Sequence, residues 1–122
     1  MGAETQSLYE RLGGSEGITA IASDLVDIHL ANPRIATRYA ESDVTKVKHA
    51  VATFFIAGTG GPQVYEGQDM VSAHKGMNID HDEFIAVLDD VLQALTKNNI
   101  GQREQEESLF ILYSLKDQVV LI

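Results

Sequence analysis

Phe84, Val87, Leu88, Val91, Leu92 and Leu95 recur at intervals of three and four residues, which is the period of a single helix face. Two earlier stretches repeat the pattern: Ile18, Ile21, Ala22, Leu25, Ile28 and His29, then Val44, Val47, Val51, Phe54 and Phe55. Each stripe is bounded by residues that stop a helix. Gly13 and Gly14 follow "SLYERL", Pro33 sits in "NPR", and glycines stand at 58, 60 and 61, suited to C-termini and breaks. Ser42 or Asp43 can cap the third helix and Asp80 the long one. The segment 59–67 is expected to be a loop leading into a short helix that bears His74. "KNNIGQ" closes the long helix, and a last one runs from about Arg103 with Leu109, Phe110, Leu112 and Tyr113 as its expected buried side. Strand alternation is absent except in the terminal "QVVLI", which serves equally as a helix end. The pattern predicts an all-α fold.

With 122 residues, the chain has room for one core, so a single domain over 1–122 is expected, with 1–6 as a flexible N-terminal segment. A net charge of −9 argues against nucleic acid or an anionic membrane as partner, because neutralising phosphates takes clustered Lys and Arg. The absence of cysteine excludes disulfides, thiolate metal sites, iron–sulfur clusters, cysteine nucleophiles and haem attached through CxxCH. "MGAETQSLYERL" has neither the basic flank nor the apolar stretch of a signal peptide, and Gln6 stands where a myristoylation motif has Ser or Thr. No apolar run reaches membrane-spanning length. A cytoplasmic protein is the expectation.

Four histidines are the main chemical candidates, since imidazole is the commonest side-chain metal ligand. His81 lies among Asp80, Asp82 and Glu83 at a helix start and is expected in solvent. His49 falls opposite the Val44/Val47/Val51/Phe54 stripe and is expected to be exposed. His29 lies on an apolar face, where the simplest expectation is a core histidine bonded to a backbone carbonyl. His74 is flanked by Met70 one turn before and Met77 three residues after, on one apolar face. It is either a packed core residue or the ligand of a metal that brings most of its own shell, because no HxxxH, HExxH or carboxylate at four-residue spacing accompanies it. Haem is such a metal group: one histidine suffices beside four pyrrole nitrogens. Nucleophilic catalysis has no GxSxG or cysteine to rest on, and "GTGG" lacks the Lys-Ser/Thr end of a phosphate loop.

In order along the chain, "SLYERLGG", "LANPRIATRY", "FFIAGTGGPQVYEGQDM" and "AHKGMNIDHDEF" resemble the truncated haemoglobins of group I, from Ser7 to "ILYSLKDQVV". The paired glycines and the Met70-to-His74 step carry most of that resemblance. It implies a two-on-two helical sandwich around haem b (iron protoporphyrin IX), with a shortened first helix and a proximal helix reduced to about one turn. His74 falls on the position of the proximal iron ligand. Its Nε2 would bind the iron and its other ring nitrogen would donate to a carbonyl near Met70. Tyr39 matches an aromatic that packs on the porphyrin and Lys46 a basic position that meets a propionate, whereas Gln68 replaces an arginine of some relatives. Val47, Val51 and Phe54 would form the distal wall, with Met70, Met77, Ile79, Phe84 and Leu88 behind the iron.

The chain departs from the family's pattern on the distal side. The usual tyrosine aligns with Val26, the glutamine-type positions with Val47 and Val51, and a position where some relatives carry a ligating histidine or lysine with Ala50. Bound oxygen, partly negative, then lacks a hydrogen-bond donor, for which Tyr39 or His29 are the substitutes at hand. The expected function is a haem protein binding O2, CO or NO, as a monomer or weak dimer. The alternatives are a nitric oxide dioxygenase or redox enzyme served by an external reductase, and a haem-free globin-like sensor or interaction module.

Overall fold

The structure is a computed structural model describing residues 6–121; all but Gln6 of the segment expected to be flexible, and the final Ile122, lie outside them. It places short α1 at Leu8–Arg11, α2 at Gly14–Ala31, α3 at Val44–Gly58, α4 at Met70–His74, α5 at His81–Lys97 and α6 at Gln102–Tyr113. One 3₁₀ turn, Ala36–Tyr39, lies between α2 and α3, and another, Lys116–Gln118, follows α6. Helix α2 packs on both α3 and α5, and α6 packs on α5, which is the expected two-on-two sandwich.

The helix boundaries follow local chemistry. The Asp43 carboxylate accepts from the Lys46 amide at 3.3 Å and that of Asp80 from the Glu83 amide at 2.7 Å, each satisfying an orphan donor of a first turn. Between α1 and α2 the chain turns on Gly13, whose φ of 101° lies in the left-handed region open to glycine. Four residues on, a side chain at Gly17 would bring its Cβ within 2.5 Å of the Leu12 carbonyl. α2 therefore begins hard against the end of α1, and Leu8 and Leu12 reach its core face.

Two apolar clusters result. Leu8, Leu12, Ile18, Ile21, Leu25, Ile56, Val91, Ala94 and Leu95 form one, and Ile79, Phe84, Leu88 and Val119 the other. Full burial of each large aliphatic or aromatic side chain contributes about 1.5–3 kcal/mol before chain entropy is counted. Between the clusters lies the cavity described below.

Two expectations need correction. The buried side of α6 consists of Ser108 with half-buried Leu109, Ile111 and Leu112, whereas Phe110 is 76% and Tyr113 47% exposed. Five consecutive apolar residues, 109–113, advance by roughly 100° each, so they encircle the helix and cannot share one face. Of the terminal "QVVLI", Gln118 ends the second 3₁₀ turn, and residues 119–121 form no full strand. After the 3₁₀ turn, Val120 makes a single parallel bridge to Ile79, with the Leu121 amide donating to the Ile79 carbonyl at 2.9 Å. Among the described residues no helix is long and apolar enough to cross a membrane.

Candidate functional site

Helix α4 has only five residues, and its last is His74. A helical turn sets side chain i near the backbone of residue i−4, and the His74 Nδ1 lies 2.8 Å from the Met70 carbonyl oxygen. A carbonyl only accepts, so Nδ1 carries the proton and Nε2 keeps its lone pair. This is the arrangement that the resemblance implied for His74 and Met70. Among the described residues no group of three or more His, Asp or Glu side chains is placed to hold a metal ion. A metal at His74 therefore has to come with other ligands of its own.

His74 lines a cavity of about 310 Å³, open on one side, between α2, α3, α4, α5, the end of α6 with the segment after it, and the 3₁₀ turn before α3, within the size range of small-molecule sites. Val51 and Phe54 of α3 form one wall, joined by Phe55 and Ala50. Phe84 and Leu88 of α5, with Met70, Met77 and Ile79, line the side that carries His74, and Tyr39 lies at the end of the 3₁₀ turn. The predicted Lys46 and Val47 are not among the lining residues: Lys46 is exposed in the first turn of α3, and Val47 is half-buried beside it. Gln68 is likewise exposed. Val26, aligned with the family's distal tyrosine, is 1% exposed but sits within the helix packing and does not line the cavity. His49 and His81 are exposed as expected.

The polar part of the lining is small, and most of it is tied up. Arg38 is held by Glu83, an ion pair that raises the guanidinium above its ordinary value. The Tyr65 hydroxyl donates to the Gln68 carbonyl at 2.7 Å, and its ring packs edge-on against Phe54. Burial, assisted by the charge of Glu83, pushes the Tyr39 hydroxyl above its ordinary value, so that it stays protonated.

His29 is the largest surprise. It is 4% exposed, and its partner is a carboxylate, not the expected backbone carbonyl: Nδ1 lies 2.7 Å from Oδ2 of Asp90, itself 2% exposed. The Asn32 amide donates to both Asp90 oxygens at 3.2 Å, and the His29 ring stacks nearly parallel on Tyr39, 6.0 Å between centroids. Asp90 went unnoticed because it is a lone acidic residue on a helix chosen by its large apolar side chains. Its signal was there in the four-residue spacing Ala86, Asp90, Ala94, all buried, which places a carboxylate on a packed face where it needs a partner. Arg38 and Tyr65 are further lining residues that the sequence reading did not single out, and Leu25, expected only as part of a helix stripe, lines the cavity as well.

An apolar slot in which His74 presents a free ring nitrogen, with its other nitrogen held by a carbonyl, is chemically suited to a planar metal group that supplies its own equatorial ligands. Comparison with known proteins points the same way. The family described as bacterial-like globin matches residues 7–120. A group 1 truncated haemoglobin of Tetrahymena pyriformis is 30% identical over 93% of this chain and 95% of its own length. A second, from Mycolicibacterium paratuberculosis, is 26% identical over 96% of this chain and 86% of its own. The fold superposes on the crystal structure of the Tetrahymena pyriformis truncated haemoglobin in its Fe(III) form with a TM-score of 0.92, at 24% identity, covering 96% of this chain and all of that one. A 2/2 haemoglobin from Synechococcus with covalently attached haem superposes with a TM-score of 0.84, at 24% identity, over 93% of this chain and 95% of that one.

Proposed function

The chain belongs to the bacterial-like globins, among the group 1 truncated haemoglobins, and is a haem-based globin; on that premise we propose that it holds haem b through Nε2 of His74 and binds O2, CO or NO. Haem, once bound there, would supply the iron at which a diatomic ligand binds.

The observation that carries this reading is the contact between the His74 Nδ1 and the Met70 carbonyl. It fixes the tautomer and the ring orientation, so the Nε2 lone pair is presented without a rearrangement on binding. Val51 and Phe54 make the α3 wall of the cavity apolar. They offer no hydrogen bond to a bound ligand, and Ala50 beside them offers none either. Oxygen gains more than CO from such a bond, so this wall favours CO over O2 relative to globins with a distal donor. Arg38 is the basic side chain on the lining, but its donors are taken by Glu83 and the Met77 carbonyl, so exposed Lys46 stays the candidate for a propionate.

The test is reconstitution with haemin, followed by visible spectra of the ferric, reduced and CO forms of the wild type and His74→Ala. A five-coordinate reduced spectrum that converts cleanly to a CO adduct, with the variant losing tight haem binding, is expected. Stoichiometric haem uptake unaffected by His74→Ala would defeat the assignment of His74.

A further inference from the structure

One polar group on the cavity wall has no role in holding haem. The His29 Nδ1 faces the Asp90 carboxylate, which only accepts, so the proton of the neutral ring sits on Nδ1 and Nε2 bears a lone pair. No hydrogen bond among the described residues engages this Nε2. Nor is any buried side-chain nitrogen or oxygen sealed away without a partner. The Nε2 of this buried ring therefore opens onto the cavity that the ring lines. A carboxylate behind an imidazole does two things: it holds the ring in one tautomer, and it stabilises the imidazolium formed when the far nitrogen takes a proton. Asn32, donating to both carboxylate oxygens, keeps Asp90 in place.

The other titratable or charged groups on this cavity do not compete for that role. Arg38 and Glu83 are paired with each other, and Tyr65 is bonded to a backbone carbonyl. Tyr39, stacked on the His29 ring, keeps its proton. His74 lines the cavity with its Nδ1 given to Met70. The proton acceptor that remains is His29.

We propose that His29 Nε2 is the proton acceptor of the cavity, and that the site takes small weak acids H–X, such as hydrogen cyanide, hydrogen sulfide or hydrogen peroxide, as whole molecules. The H–X bond breaks heterolytically; the proton passes to His29 Nε2, and X keeps the electron pair and remains in the cavity as the anion. Asp90 is the positioning residue of the pair. This ligand class rests on the haem reading above, because the anion needs a cationic acceptor that the apolar walls do not provide. It extends that reading from neutral diatomic gases to protic ligands.

The experiment counts protons. Haem-loaded ferric protein is titrated with hydrogen cyanide at neutral pH in two buffers of different ionisation enthalpy, and calorimetry gives the protons released per cyanide bound. The wild type is expected to release almost none, since the proton stays on His29. His29→Gln is expected to release close to one and to bind at least about tenfold more weakly. Asp90→Asn removes the charge while preserving the shape, is expected to release protons as His29→Gln does, and decides the matter if the histidine variant does not fold. Equal proton counts in the wild type and Asp90→Asn would overturn the proposal and leave the haem reading intact; failure of the wild type to take up haem would overturn both. A readout independent of ligand acidity is the imidazole 15N spectrum of the reduced CO form. A His29 ring protonated on Nε2 alone would also overturn the proposal.

Discussion

The Arg38 guanidinium meets the Glu83 carboxylate in two parallel contacts of 2.7 Å, and its remaining nitrogen donates to the Met77 carbonyl at 2.8 Å. One side chain thus ties the 3₁₀ turn before α3 to the first turn of α5 and to the segment just after His74. The planar fork is what allows three donors to act together, and an ammonium cannot reproduce it. Arg38→Lys is expected to lower unfolding free energy by about 1–2 kcal/mol, at the modest end for charge-assisted bonds because the pair is partly exposed. With Met77 released, haem is expected to transfer faster to excess apomyoglobin. Urea denaturation and the transfer rate check this, and no change in either would show that the clamp is incidental.

Phe110 provides the opposite case. At 76% exposure, its ring has little packing to lose, so Phe110→Ser is expected to change stability by no more than about 0.5 kcal/mol. A buried phenylalanine truncated to a small residue loses about 3–5 kcal/mol. Thermal or urea unfolding of the variant separates the two readily.

These two residues also show where the sequence was readable. Stripes at intervals of three and four identified α2, α3 and α5, because a helix with one wet face must repeat at its own period. The link from His74 to Met70 came from the family resemblance, and it is a short-range one, since both ends lie within one helical turn. Arg38 with Glu83 and His29 with Asp90 join positions 45 and 61 residues apart. No local rule relates such positions, and only the packing of α2 and the 3₁₀ turn against α5 brings them together. Phe110 was misplaced because an unbroken apolar run carries no phase. Lys46 was placed by family position alone, and the cap at Asp43 sets it in an exposed first turn.

Acid should weaken the seam between α1 and α6. Arg11 donates to both oxygens of Glu107 at 2.7 Å and to Glu104 at 2.9 Å, and the bonds from Arg11 pull Glu107 down to about 2 from an ordinary 4.5. Above that ordinary value the carboxylate is charged in both the folded and unfolded chain, and the full stabilisation is present. As pH falls from there, the unfolded chain takes up a proton that the folded one refuses, so stability declines until Glu107 itself protonates near pH 2. The difference in melting temperature between the wild type and Glu107→Gln is expected to be constant above about pH 5.5 and to shrink steadily below it. A gap that stays unchanged down to pH 2.5 would remove Glu107 from the account of acid stability.

The proposed gas site makes its own kinetic prediction. Val51 lines the cavity on the wall across from the α5 side and has no group that can donate to a ligand. Glutamine is longer and carries an amide N–H, and α3 already presents position 51 to the cavity without a change in backbone. One net hydrogen bond of about 1.4 kcal/mol corresponds to a tenfold change in an equilibrium constant. That gain belongs chiefly to oxygen, because bound CO carries little negative charge. Val51→Gln is therefore expected to slow oxygen release by about tenfold, with CO release nearly unchanged, as measured by ligand displacement in a stopped-flow instrument. If oxygen release were already slow in the wild type and did not respond to the glutamine, a donor would already be acting in the cavity, and Tyr39→Phe would identify it by accelerating release. The ratio of oxygen to CO release thus tests whether the apolar wall seen in the structure sets the ligand preference of the protein.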